Sequence, residues 1–445
     1  MKKLALICTL FLGSALCVAV SSAGSGPSFA AAKSYPAGST PASVAVGDLN
    51  GDGKVDLATA NSNPGTLSVL LNDGTGALRA KVDYPAGSYP VSVGIGDLNG
   101  DGKADLVTGN MSTLGRFPSR DVAVLLNRGD GTFAARAEYP IGLGHGQLSV
   151  AVGDLNGDGR LDVAAADDAH DSVSVLMNSG NGALHAPVDY AAGWLPEELA
   201  IGDLNGDGRA DLATANTFGS SVSVLLNNGN GGFLPKVDYA AGSNPSSVAI
   251  GDLNGDGKAD LATANGPANT VSMLLGRGNG SFSGKVDLGV GSGPAGVAIA
   301  DLNGDRKLDL ATADSGAGTV TVLSQGSAGR FQAGAVRTGV RPVSIASGDL
   351  NGDGRPDLVT ANLETASVSV LVNATVNCTV PRVVKKALPA AKRALGRAHC
   401  RAGKLRRISS KLKRGKVVSQ TPRPGTIMPG GGRVNLVLSR GRRSS

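Results

Sequence analysis

Seven times the chain returns to one segment, Asp-Leu-Asn-Gly-Asp-(Gly/Arg)-(Lys/Arg)-x-Asp, starting at Asp48, Asp97, Asp154, Asp203, Asp252, Asp301 and Asp349. The starts lie 49, 57, 49, 49, 49 and 48 residues apart. A fixed period of this length marks a propeller, solenoid or array, in which each unit buries its apolar face only against its neighbours. Within one unit, four pieces carry β-branched or alternating apolar residues between Gly/Asn turns: Ser247–Ile250, Ala259–Ala264, Thr270–Leu275 and Ser281–Leu288. Four short strands repeated seven times predict an all-β seven-bladed β-propeller. Glycine supplies 66 of 445 residues, about twice the average share, and each interior helical glycine costs about 1 kcal/mol against alanine. A helical solenoid is therefore excluded. The 41% hydrophobic content equally excludes a disordered chain.

Ring closure is also readable. Repeats carry an apolar residue after a Gly-rich turn and Tyr six positions later, as in Phe133 to Tyr139 and Phe233 to Tyr239. After the seventh loop a third strand-like piece, Ser367–Val372, ends the pattern without a fourth. The missing piece stands at the other end, where Phe29 leads in six steps to Tyr35 and then Pro36-Ala37-Gly38. The N-terminus is expected to supply the outer strand of the last blade and close an otherwise open edge. Ahead of it, Lys2 and Lys3 precede a seventeen-residue apolar run, Leu4 to Val20, and then Ser21-Ser22-Ala23. That layout predicts a signal peptide over residues 1–23, which makes the protein secreted or extracellular. A retained membrane anchor is the alternative, though the run is short for a span. Cleavage after Ala23 keeps the closing strand, and no membrane span is then expected. The propeller is assigned to 24–377 and a tail domain to 378–445.

The repeated loop has a chemistry of its own. Carboxylates at positions one, five and nine, Asn at three and a backbone carbonyl at seven offer alternating oxygens to a hard cation, with glycine at six for the turn. The predicted ligands of the first two loops are Asp48, Asn50, Asp52, Lys54 and Asp56, then Asp97, Asn99, Asp101, Lys103 and Asp105. The third and fourth offer Asp154, Asn156, Asp158, Arg160 and Asp162, then Asp203, Asn205, Asp207, Arg209 and Asp211. The fifth to seventh offer Asp252, Asn254, Asp256, Lys258 and Asp260; Asp301, Asn303, Asp305, Lys307 and Asp309; and Asp349, Asn351, Asp353, Arg355 and Asp357. The cation expected is Ca²⁺, up to seven per chain, because 21 of the 36 acids stand at these positions and would otherwise repel one another. Position twelve holds no Glu (Thr59 in the first loop), so affinity in the range of about 10⁻⁴–10⁻³ M is expected. The sixth loop has Arg306 in place of glycine and is expected to bind most weakly. Solvated turns without metal are the alternative.

These loops, with Ser-Val-x-Leu-Leu-Asn and Asn-Gly-x-Gly-x-Phe around them, resemble FG-GAP/VCBS repeats over roughly residues 26 to 377. That family includes the integrin α-subunit propeller, and the resemblance implies calcium in the loops, ligand recognition on the opposite face and a binding or adhesion role. Some enzymes carry the same repeats. The tail has Val380-Pro381-Arg382-Val383-Val384, Ala390-Ala391-Lys392-Arg393-Ala394-Leu395 and Val418-Ser419-Gln420-Thr421-Pro422-Arg423-Pro424-Gly425. It resembles a PASTA domain, which implies a short helix, three strands and association with peptidoglycan. No nucleic-acid partner is expected, since the tail has no Phe, Tyr or Trp for base stacking.

Charge divides the chain as sharply as its pattern does. Residues 378–445 hold 19 Lys/Arg and no Asp or Glu, whereas residues 24–377 hold 21 bases against all 36 acids, a net −15. The tail therefore suits a polyanion such as an anionic cell-wall polymer, and a surface that merely docks on its own acidic propeller is the alternative. Removal of the leader takes Cys8 and Cys17 and leaves Cys378 and Cys400, expected to form a disulfide in an oxidising compartment.

Strand direction puts the cation loops on one face and the second-to-third and fourth-to-first strand loops on the other. The extra residues of the second repeat are assigned to the loops Asn110–Arg120 and Ile141–Gln147 on that opposite face. With Asp167, Asp168, His170, Asp171, Trp194, Glu197 and Glu198 they outline a ligand patch over blades 2 to 4. Arg116, Arg120, His145, His170 and Trp194 are its candidate contacts for an unknown protein or carbohydrate. Packing of Trp194 between blades is the alternative. Gly-x-Ser-x-Gly, His-Glu-x-x-His and P-loop motifs are all missing, so no enzyme is expected. The competing readings are a polysaccharide hydrolase or lyase using His170 and a structural surface protein. The overall expectation is a monomeric, secreted, calcium-binding adhesion module held to the wall by its tail.

Overall fold

The computed structural model describes residues 27–111, 119–144, 146–326, 330–375, 377–429 and 433–441. The leader, Arg116, His145 and the Cys378 side chain lie outside the described residues. Blade 1 consists of Pro41–Gly47, Asp56–Asn61, Thr66–Leu70 and Val82–Pro85, paired antiparallel in that order from the inside outwards. Six further four-stranded sheets repeat it, giving seven blades.

The second strand of each blade decides how blades stack. Asp56–Asn61 and its six counterparts are buried on both faces, since the strand is sandwiched between neighbouring sheets. Small side chains are needed there: Ala58 and Ala60 of blade 1 meet Val93, Leu106 and Phe133 of blade 2 in one shared cluster. The core therefore lies between blades, where aliphatics interdigitate in narrow wedges, and a few aromatics fill the wide outer ends. Tyr84 of blade 1 meets Phe133 of blade 2 edge-on at 5.3 Å, and Tyr239 meets Phe282 likewise at 5.2 Å. These contacts are the physical content of the repeated Phe/Tyr pattern.

In blade 5 the strands run Pro245–Gly251, Asp260–Asn265, Thr270–Leu274 and Val286–Gly289. The expected outer strand over Ser281–Leu288 is thus too long. Phe282 makes one isolated bridge to Gly276, buries its ring, and the chain resumes pairing only at Val286.

The ring closes as expected. Lys33–Pro36 pairs antiparallel with Ser367–Leu371 of blade 7, with Tyr35 opposite Val368. Upstream, Phe29 bridges Asn373, and the Ser28 amide donates to Thr375 Oγ1 at 2.8 Å. Further ties run between blades: Asn127 Nδ2 of blade 2 donates to the Leu49 carbonyl of the blade 1 loop at 2.9 Å, and Asn178 reaches Leu98 in the same way.

The tail folds around its own core of Val383, Leu395, Val417, Val434 and Leu436. Helix Leu388–Arg397 packs on a three-stranded sheet whose centre, Arg433–Ser439, runs parallel to Arg401–Ile408 and antiparallel to Val417–Thr421. A short ribbon pairs Asn377–Thr379 with Ile427–Pro429. Among the described residues, no helix is long and apolar enough to cross a membrane.

Candidate cation loops and the opposite channel mouth

Each loop is wound by its own acceptors. Asp48 accepts amides of Gly51 (2.8 Å) and Gly53 (2.7 Å), and Asn50 Oδ1 accepts the Asp52 amide at 2.9 Å. Two left-handed residues, Gly51 at φ 75° and Gly53 at φ 78°, make the turn. The sixth loop makes the same turn with Arg306 at φ 69°, the strained backbone foreseen for it. The ninth-position Asp56 is fully buried and organises the strand ends, accepting amides of Leu49 (3.0 Å) and Asn72 (2.7 Å).

Burial pushes the Asp56 carboxyl up, and repulsion from Asp52 and Asp48 adds to the rise although two amides oppose it. Asp309 in the sixth loop is pushed up to about 7, by burial first and then by Asp305 and Asp301. The fifth-position carboxylate turns instead to the base at position seven, as in Lys54–Asp52 at 3.1 Å and Arg209–Asp207 at 3.3 Å. Among the described residues no three such side chains converge on one point. The donor set nevertheless suits a hard cation in kind: oxygen only, acidic and mutually repulsive.

At the other end of the innermost strands a cavity of about 440 Å³ opens along the central channel, lined from all seven blades. One position of these strands forms a ring: Ser43, Ser92, Ser149, Glu198, Ser247, Gly296 and Ser344. Its side chains latch neighbouring blades, for the Val44 amide donates to Ser344 Oγ (3.2 Å) and the Val150 amide to Ser92 Oγ (3.1 Å). Blade 4 breaks the ring with a carboxylate. Glu198 accepts the Val248 amide at 3.2 Å, and its carboxyl is pushed up to about 7 by burial, with Ser247 and Val248 opposing and Glu197 adding repulsion. Glu197, also lining the cavity, is raised by burial and by Asp168 although Thr217 Oγ1 donates to it at 2.5 Å.

Beside this mouth lies the predicted patch. The described part of the blade 2 insertion lengthens its hairpin, whose last three strands are Asp105–Met111, Ser119–Leu125 and Ala137–Leu143, and residues 112–118 of the expected loop lie outside the described residues. Arg120 is thereby fully buried and is not a contact residue on an open face; its guanidinium pairs with Asp167. His170, 53% exposed by its side chain, sets Nδ1 2.7 Å from Arg120 Nη2 and 3.0 Å from Asp167 Oδ2. Trp194 does not pack between blades. It is 62% exposed and meets Phe218, 55% exposed, edge-on at 5.4 Å.

Sequence reasoning missed Phe218, which stands outside the repeat pattern, and the buried Asn network. Asn61 accepts from Thr59 Oγ1 at 3.0 Å and donates to Ser68 Oγ at 2.9 Å, and a Cβ on Gly38 would lie 2.4 Å from its side chain. The recurring Ala-Thr-Ala-Asn and Ala-Gly-Ser segments were the available signal.

The model of the FG-GAP-like repeat matches residues 48–108, 114–165, 154–214, 203–263, 252–312 and 302–360, and that of the PASTA domain matches 379–440. No curated protein sequence matches the chain. Among solved structures, BBS1N in complex with ARL6DN is similar at a TM-score of 0.56 and 14% identity, covering 78% of this chain and 97% of that one. A putative 6-phosphogluconolactonase from Bacteroides uniformis gives 0.51 and 19%, covering 68% and 87%. The periplasmic gluconolactonase of Pseudomonas aeruginosa gives 0.50 and 19%, covering 67% and 86%. At such identities the likeness concerns the propeller fold alone. With most of its length matched by that repeat, the chain belongs to the FG-GAP-like repeat proteins and ends in a PASTA domain.

Proposed function

We propose that this chain is an exported, non-enzymatic binding protein, whose basic PASTA domain holds it on an anionic cell-wall surface while the propeller presents its channel face to a ligand. The observation that carries this reading is the charge of the tail. Its 19 bases face no acid within the domain, and Lys392, Arg393, Lys404, Arg406 and Arg407 are exposed. A surface of this kind gains most from a polyanion, whose counterions it releases. The PASTA assignment favours wall glycan as the setting.

In the propeller, Ca²⁺ would be held by the three carboxylates, the Asn and the position-seven carbonyl of each loop, and would supply charge neutralisation there. The fifth-position Asp would then exchange its Lys or Arg partner for the ion. Cys400, buried at 4%, and Cys378 are read as a disulfide that ties the start of the tail to the end of its helix.

Retention on purified cell walls tests the proposal, comparing the full chain with one ending at residue 377, with and without chelator. The full chain is expected to bind and to be released by high salt. Equal retention of both chains would overturn the role given to the tail.

A further inference from the structure

The channel mouth differs from a neutral propeller pore on one side only. Ser43, Ser92 and Ser247 place hydroxyls around the ring whose oxygens accept the Val93, Val150 and Val297 amides, while Glu197 and Glu198 of blade 4 line the same cavity with carboxylates. Neither has a Lys or Arg within ion-pair distance among the described residues; their partners are the neutral donors Thr217, Ser247 and the Val248 amide. Arg341, on the far wall, faces Glu364 at 3.7 Å. Asp168 adds a third negative charge behind Glu197, and its Oδ1 is buried without a hydrogen-bond partner. Burial and repulsion from a neighbouring carboxylate push both carboxyls up, so a cation bound between them would favour their ionised form.

Two exposed aromatics stand on the turns next to these carboxylates, outside the residues that line the cavity itself. Trp194 and Phe218 sit on two adjacent turns joined by hydrogen bonds from the Gly219 amide to the Trp194 carbonyl (3.2 Å) and from the Thr217 amide to the Leu195 carbonyl (2.9 Å). Thr217, next to Phe218, is also the residue that holds Glu197. One pair of turns thus fixes both the aromatic shelf and the acidic wall. An exposed aromatic pair stacks on a flat apolar face and attracts a cation.

We propose that this mouth binds a chain of amino sugars with free ammonium groups, one unit in the cavity with its amine against Glu197 and Glu198 and its hydroxyls on the serine ring, and a neighbouring unit outside the cavity against Trp194 and Phe218. The cavity, about 440 Å³, has room for a unit of this size. A neutral or N-acetylated sugar would match the hydroxyls and the aromatics but leave both carboxylates without a cation. This assignment rests on the binding reading above and names the ligand class of the channel face.

Calorimetric titration of the full chain at about pH 7 tests it, with a β-1,4-linked glucosamine tetramer and its fully N-acetylated counterpart as probes. The glucosamine tetramer is expected to bind, and the N-acetylated one to bind at least about tenfold more weakly. Glu198→Gln removes a charge-assisted contact and is expected to weaken the glucosamine tetramer about tenfold to a hundredfold. Trp194→Ala, at an exposed position that the fold does not need, is expected to weaken both tetramers with an unchanged melting curve. Equal affinity for the two tetramers, unchanged affinity in both variants, or no binding of either tetramer at millimolar concentration overturns the assignment. Wall retention through the tail is measured separately, so its persistence beside a silent channel would refute this inference alone.

Discussion

The replacement Asp167→Asn probes how the propeller departs from its own repeat. Asparagine is what blades 1, 2, 4, 5 and 7 carry at this place, as Asn61, Asn110, Asn216, Asn265 and Asn362, so the new side chain fits. It would nevertheless strand the guanidinium of Arg120, which is fully buried. What remains around that charge is His170 Nδ1 at 2.7 Å, the Leu143 carbonyl at 3.5 Å and the nearby carboxylate of Asp168, which feels the guanidinium but is not hydrogen-bonded to it. An uncompensated buried charge costs about 3–5 kcal/mol, whereas an exposed pair such as Arg209–Asp207 is worth about 0–1 kcal/mol. The expected loss for Asp167→Asn is therefore about 3–5 kcal/mol. Adding Arg120→Met removes the stranded charge, so the double variant should recover part of the loss, with a coupling of about 1–3 kcal/mol. Urea unfolding followed by circular dichroism, with the slope checked for constancy, measures each corner of the cycle. A loss below about 1 kcal/mol for Asp167→Asn, or a double variant equal to the sum of the two singles, would refute the reasoning.

Glu198 predicts a pH dependence of stability. Its carboxyl, ordinarily at 4.5, stands at about 7 in the fold, so between these values the folded state keeps a proton that the unfolded state has lost. Stability should fall as pH rises through about 4.5 to 7 and level off above; Glu198→Gln should remove about 1–3 kcal/mol of that fall, and identical profiles for the two proteins would contradict it. Asn127→Ala deletes bonds to the carbonyls of Leu49 (2.9 Å) and Ala104 (2.7 Å), leaving both acceptors buried, and is expected to cost about 1–3 kcal/mol in urea unfolding. Arg306→Gly relieves a left-handed arginine and should raise stability by about 1 kcal/mol, with calcium binding at the sixth loop strengthened in a titration of single sites. If the sixth loop of the unaltered chain fills first, the strain argument fails. Cys400→Ser should cost the tail about 3 kcal/mol, the closure entropy of a loop of about 20 residues, and a reducing agent should abolish the difference between the two proteins.

The architecture was legible because a repeat multiplies weak signals. One window of Asp-Leu-Ala-Thr-Ala-Asn does not distinguish strand from helix, but seven windows in register with Gly-rich turns do. Closure was legible for the same reason: Phe29 and Tyr35 complete a count that Ser367–Leu371 leaves short. The start of the outer strand was less so, since its limit is set by Phe282 turning inward to meet Tyr239 of the preceding blade, a contact that no single unit contains. Arg120 misled for a related reason. An arginine in an insertion reads as exposed, and only the lengthened hairpin, which carries it against Asp167 and His170, makes it a buried ion pair.

A repeat also provides its own controls, and this is the deeper use of the symmetry. Every position of a blade has six counterparts, so a residue kept in most blades is explained by the scaffold, and a residue that differs needs a local cause. Asn61 and its equivalents satisfy the first condition: they knit the Thr and Ser hydroxyls inside each sheet. Arg306, Gly276 and Gln325 differ on the cation-loop side. Arg120, Trp194, Glu197, Glu198 and Phe218 differ together, in consecutive blades and on the channel face, while blade 6 shares the Asp of Asp167 as Asp314 and carries Gly296 in the serine ring. Neutral drift would scatter such departures around the ring. It would not place two carboxylates, a buried arginine and an exposed aromatic pair within one sector, hydrogen-bonded through Thr217 and Leu195. The clustering supports the proposal that this sector, rather than the seven repeated loops, takes the propeller's ligand.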